Sequence, residues 1–176
     1  MRGLSGLAAA AFALALGGCV IAPSQLHEAP DLVGVPEAFE LSGRLALRQG
    51  DRSDIARLRW THRGTRDEWE IASPLGNVVA RIESDPAVGA VLLQGPDEQR
   101  APSFGALTQS LLGVSLDPAQ LARWLHGTEV PAPGAEWKVT LDDPQPAGAL
   151  SIARRLSASR GDTTVRLVVD EYRLLP

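Results

Sequence analysis

The stretch Leu16-Gly17-Gly18-Cys19 holds the only thiol of the chain. A thiolate is a strong nucleophile and is readily alkylated. A single cysteine makes no internal disulfide. Nor does Cys19 have metal-ligand company, since His27, His62 and His126 each stand without a second ligand at useful spacing. Hydrolytic and phosphoryl chemistry find no pattern. The sequence has no Gly-x-x-x-x-Gly-Lys-Ser/Thr loop, no Gly-x-Ser-x-Gly elbow and no His-Glu-x-x-His pair. Asp142 and Asp143 are adjacent, would face opposite sides of a strand, and read as a turn. Arg160-Gly161-Asp162 reads as a hairpin turn, and His126, just before Gly127, as a helix C-terminal histidine. The expectation is a non-enzyme with no catalytic residue, no metal and no cofactor. The chemistry that remains is modification of Cys19.

The residues before Cys19 fit that chemistry. Met1-Arg2 is a short positive start, and Leu4 to Leu16 is apolar. That run is shorter than the roughly 20 residues of a membrane-spanning helix. It suits the apolar region of a signal peptide. Two small residues before a cysteine let the chain enter a protease cleft. The arrangement resembles a bacterial lipobox, with residues 1–18 as signal peptide and Cys19 as the first mature residue. Such a cysteine carries a diacylglyceryl thioether and an amide-linked third chain. Stable anchoring needs more than one acyl chain, each buried CH₂ contributing about 0.8 kcal/mol. Val20 rather than Asp follows Cys19, which points to the outer membrane. Pro23, Pro30 and Pro36 disfavour a long helix, so residues 19–36 read as a tether.

A second feature is physical rather than chemical. In Ser73-Pro74-Leu75-Gly76-Asn77, Pro and Gly supply turn chemistry, yet a leucine stands where turns usually carry Asn, Asp or Ser. Single exposed apolar residues are common, so the turn alone leaves its purpose open.

The remaining residues must position these two features. A net charge of −4 argues against a nucleic-acid partner. An apolar fraction of 44% and a charged fraction of 22% suit one globular domain, placed at residues 37–176. Strands are expected at Glu40–Arg48, Ile55–His62, around Trp69 and Ile71, at Val78–Glu83 and at Ala90–Gln94. Asp51 to Asp54, Asp85-Pro86 and Gly95-Pro96 read as breaks between them. One face is apolar and the other arginine-rich. Ser103 caps a helix carrying Phe104, Leu107 and Leu111, and Gly113 stops it. Asp117 and Pro118 open a second helix with Leu121, Trp124 and Leu125 on one face, ended by Gly127. Strands return at Trp137–Leu141, Ala149–Ser157 and Thr163–Asp170. The fold class is therefore mainly β with helices, α+β, an antiparallel sheet carrying two helices on one face. Those helices either close a solid core or cover an apolar cavity.

The lipobox, followed in order by "GRLALR", "LRWTH", "ASPLGN", "LLG", "ARWLHG" and "EWKV", resembles the LolB family. The resemblance implies a curved antiparallel open half-barrel with a helical lid over an apolar cavity for acyl chains. On this chain Leu45, Leu58, Trp60, Trp69 and Ile71 would line it from the strands. Phe104, Leu107, Leu111, Leu121, Trp124 and Leu125 would line it from the helices. The resemblance also implies that a leucine protruding between two strands touches the membrane. That position is Leu75, flanked by Pro74 and Gly76. The implied protein is a monomeric outer-membrane lipoprotein, lipid-anchored and facing the periplasm. It would accept lipoproteins from a periplasmic carrier of the LolA kind and insert them into the inner leaflet. Its partners would be that carrier, lipoprotein acyl chains and outer-membrane lipids. The alternatives are a structural or partner-binding lipoprotein with a solid core, or a lipid-modifying hydrolase, which lacks a nucleophile–base pair.

Overall fold

Alternation of apolar and polar residues sets the strands. In the computed structural model, which describes residues 34–129, 131–132 and 134–176, nine strands form one open sheet. They are β1 (Ala38–Gln49), β2 (Arg52–Arg63), β3 (Arg66–Ala72), β4 (Val78–Asp85), β5 (Gly89–Gln94), β6 (Asp97–Ala101), β7 (Lys138–Ala147), β8 (Leu150–Arg160) and β9 (Thr163–Leu174). The order across the sheet is β6-β5-β4-β3-β2-β1-β9-β8-β7. Every neighbouring pair is antiparallel. The first six strands are a meander, and β9 returns to pair with β1. Cys19, the expected signal peptide and all but the last residues of the expected tether lie outside the described residues.

The connection from β6 to β7 carries α1 (Phe104–Leu112) and α2 (Pro118–Leu125) across one face. Ser103 accepts from the Ala106 N–H at 3.1 Å, and Gly113 closes α1 in the left-handed region. Asp117 accepts from the Ala119 N–H at 3.0 Å, and Pro118 opens α2. The first helix packs on β4, β5 and β6, and the second on β7 and β8. Between the helices and the sheet lies one apolar core containing Phe39, Leu41, Trp60, Trp69, Leu107, Trp124 and Leu125. The result is an open half-barrel whose concave face is covered by two helices.

Three sequence expectations need correction, and one strand, β6, was not foreseen. The turn after β1 is Gly50-Asp51 alone, and Arg52 to Asp54 already belong to β2. Strand β6, "DEQRA", has no apolar alternation and forms by pairing along β5 at the sheet edge. Asp142 and Asp143 are not a turn: they lie inside β7, which keeps one register with β8 on both sides of Asp143, whose φ is 58°. As an edge strand, β7 also tolerates Pro144 and Pro146. Leu111 is 36% exposed and does not face the core. Thr108, donating to Gly105 O and accepting from Leu116 N, and Leu112 take the inward stripe instead.

Candidate functional site

The hairpin of β3 and β4 is built to hold one side chain out. Ser73, Pro74 and Gly76 occupy positions i, i+1 and i+3 of a tight turn, as a type I turn favours. The Gly76 N–H donates to Ser73 O at 2.8 Å, and the Ser73 N–H to Asn77 O at 2.8 Å. The Ser73 hydroxyl accepts from Asn77 N. Gly76 supplies the φ of 93° that returns the chain. Leu75, at the apex, is 90% exposed. Register slips between Ile71 and Ala72, leaving Val79 as a bulge that twists the hairpin. Below it, Arg81 reaches Glu70 at 2.9 Å and Glu68 at 3.3 Å, tying the stem together. Val78, Val79 and Ile55 are also exposed. Strand register places Ile55 beside the loop, two residues beyond the Arg57–Ala72 pair. The apex therefore stands on an apolar shoulder. Leu111, in the last turn of α1, lies towards the same end, where the Gly113 carbonyl accepts from Gln49.

Under the helices the expected acyl-contact residues come together. Leu58, Trp60, Trp69, Phe104, Leu107, Leu121, Trp124 and Leu125 are buried, and Leu45 and Ile71 are partly buried against them. They pack against one another, with Leu58 and Phe104 also bordering open grooves. Trp69 sits between Trp60 and Phe104, with ring centroids 5.4 and 4.8 Å away. Trp124 packs against Trp137 at 5.9 Å. The gap beneath α2, bounded by Leu116, Leu121, Trp124, Trp137, Ala158 and Val165, measures about 10 Å³. That is room for about one water molecule. Open grooves lie elsewhere, among them one of about 640 Å³ lined by Pro36, Arg63 and Leu174 and one of about 200 Å³ lined by His62, Asp67, Phe104 and Pro118. One of about 420 Å³ on the convex face is lined by Arg44, Arg57, Arg59 and Glu70, with Leu58 the single expected acyl-contact residue among its lining. One of about 1010 Å³ lies along the β2–β3 and β4–β5 turns, between Arg63, Arg66, Glu68 and Arg100.

A polar cluster at the end of the barrel opposite Leu75 was not foreseen. Asp67 Oδ1 accepts from Trp60 Nε1 at 2.7 Å and from His62 Nδ1 at 2.9 Å, all three side chains buried. The clue was available: the Gly64-Thr65 turn sets His62 directly opposite Asp67. Phe39 stacks on His62 and on Tyr172. His126, at the C-terminal cap of α2, is buried. Its Nδ1 donates to Ala122 O at 2.7 Å, so Nε2 accepts from the Tyr172 hydroxyl at 2.9 Å. Burial holds the His126 imidazole below its ordinary range, the nearby His62 adding to the effect and the Ala122 carbonyl opposing it. Burial also pushes the Tyr172 phenol up. The pair His126–Tyr172 therefore stays neutral and ties α2 to the sheet.

A family model described as outer membrane lipoprotein LolB matches residues 37–172 of the chain. An outer-membrane lipoprotein LolB from Thiobacillus denitrificans is 36% identical over 183 residues, covering 95% of this chain and 96% of that protein. One from Azoarcus sp. is 30% identical over 191 residues, covering 99% and 97%. A third, from Nitrosomonas europaea, is 33% identical over 171 residues, covering 87% and 79%. Among the described residues no helix is long and apolar enough to cross a membrane.

Proposed function

This chain belongs to the LolB family of outer-membrane lipoproteins, and on that premise we propose how its parts divide the work of localising lipoproteins. Cys19, lipidated, keeps the protein on the outer membrane, and residues 19–36 tether the domain on the periplasmic side. A lipoprotein arrives from a periplasmic carrier of the LolA kind. Its acyl chains lodge between the sheet and the helices, against Trp60, Trp69, Phe104, Leu107 and Trp124. Because the interior is filled, α1 or α2 must lift to admit them. Leu75 then dips into the inner leaflet and the cargo follows. The chain acts as a binding protein and catalyses no bond change. Cargo therefore moves only towards the site that binds it better, from carrier to this protein to bilayer.

The observation that carries the reading is Leu75, held almost wholly exposed on a braced stem where most of the other large apolar side chains among the described residues are at least partly buried. Burying one leucine is worth about 1.5–3 kcal/mol. That is too little to anchor a protein and suits a reversible dip. The test is Leu75→Glu. An exposed turn residue has little packing to lose, so stability should change by about 0.5 kcal/mol or less. A carboxylate at the apex resists hydrocarbon and repels anionic head groups. Cargo should be taken up from the carrier but remain on the protein, whereas Leu75→Phe should deliver normally. Transfer of a labelled lipoprotein to liposomes, read beside a thermal melt, decides it. Normal transfer by folded Leu75→Glu protein would end the reading.

A further inference from the structure

Two buried indole N–H groups, those of Trp69 and Trp124, have no hydrogen-bond partner among the described residues. Nearly all buried donors in folded proteins are paired, so each exception calls for a physical reason. For Trp124 one is at hand. The small gap beside it is also bounded by Ser115 and Asp117, a place where a water can bridge polar groups. Trp69 borders none of the grooves and gaps described above. Its ring neighbours are Trp60 and Phe104, which offer an N–H at most a weak π contact. Nor is its neighbour Trp60 in the same position, because the Trp60 N–H is satisfied by Asp67. Trp69 is 2% exposed and lies under the start of α1, with Phe104 as its cover.

A lone donor in an apolar interior matches a ligand that is hydrocarbon apart from one acceptor. An acyl ester is such a group, because its carbonyl accepts and it has no donor to satisfy. An amide also brings an N–H that needs an acceptor of its own. We propose that the Trp69 indole N–H is the cargo-recognising donor of this protein, bonding the ester carbonyl of a diacylglyceryl-modified lipoprotein once α1 lifts. This rests on the acyl-acceptor reading above. With α1 seated on the sheet the donor is unpaired, and the loaded form pairs it. Uptake therefore gains a term specific to acyl esters, beyond burial of the chains.

The experiment is a two-by-two comparison on the mature lipidated protein in detergent micelles. The probes are two short-chain lipopeptides differing only in diester against diether linkage. The variants are wild type and Trp69→Phe, with Trp69 replaced by benzothienylalanine (sulfur in place of the N–H) as a second variant that keeps the ring's shape. Micelle partition of each probe is common to all proteins and cancels in the cycle. The wild type should bind the diester about five- to tenfold tighter than the diether, the scale of one hydrogen bond. Both variants should bring that ratio close to one by weakening diester binding, with diether binding unchanged for the isosteric replacement. An undiminished ratio in the isosteric variant would overturn the assignment. A packing role for Trp69 would instead weaken both probes together, and that result also overturns it. If neither probe binds the wild type, the acyl-acceptor reading itself fails.

Discussion

His126 shows how one side chain links the lid to the sheet. In its neutral form it donates to Ala122 O and accepts from Tyr172, and His62 and the Asp67 carboxylate share its surroundings through Phe39. Its pKa is lowered on folding, chiefly by burial. The unfolded chain therefore binds a proton that the folded chain refuses. Stability from this group is complete above the ordinary imidazole value of about 6.5 and is lost as pH falls below it. A second proton on Nε2 would also leave the Tyr172 hydroxyl without its acceptor. Thermal melts between pH 7.5 and 5 should show a falling midpoint. His126→Gln, which keeps a polar side chain but does not titrate, should flatten that slope. An equal slope in both proteins would remove His126 as its source. The contact of His126 with Tyr172, 46 residues away in sequence, has no local signature and was not legible beforehand. Leu75 was legible, because Ser73, Pro74 and Gly76 define the turn by their own backbone preferences. Trp60 and Trp69 were also legible as inward-facing, through alternation, and they prove to be a direct cross-strand pair.

At the scale of elements, alternation marked every long strand and capping residues marked both helices. It failed where pairing or an edge overrides composition, as in β6 and in β7 beyond Leu141. It failed again at Leu111, where a hydroxyl, Thr108, displaces an aliphatic side chain from the buried stripe. The joint between β1 and β9 depends on a glycine. Register slips between Ser42 and Gly43, so Asp170 of β9 has no partner in β1, and its carboxylate pairs with Arg44 at 3.0 Å. A Cβ on Gly43 would stand 2.2 Å from the Val168 carbonyl oxygen, a backbone atom that cannot swing aside. Gly43→Ala should therefore cost about 1–3 kcal/mol through forced strand displacement. A denaturant midpoint equal to wild type would show that the two strands can part at that point without loss. The joint matters because β1–β9 is where the meander meets the hairpins that carry α2.

At the scale of the molecule, the start of β1 and the apex lie at opposite ends. β1 begins at Ala38, beside the β2–β3 turn, whereas Leu75 lies at the other end with the Gly50-Asp51 turn. β1 has 12 residues, so the two ends are about 37 Å apart at about 3.4 Å per residue. If the membrane holds Cys19 as proposed, Leu75 touches it only when the chain from Cys19 to Ala38 spans at least that distance. Its 19 residue steps reach at most about 65 Å when fully extended, so the length suffices. Removing ten residues, 22 to 31, leaves nine steps and a reach of about 30 Å. The shortened protein should still be lipidated and sediment with membranes, and its melt should match wild type, since every strand and helix among the described residues lies beyond the deletion. Delivery of cargo should nevertheless fall to the level of Leu75→Glu, because the apex is held off the bilayer. Replacing the same ten residues with Gly and Ser should restore it, since a flexible chain of equal length reaches as far. A domain that lay flat on the membrane would be indifferent to the deletion. Full transfer by the shortened protein would therefore reject the upright arrangement while leaving Leu75 as the contact.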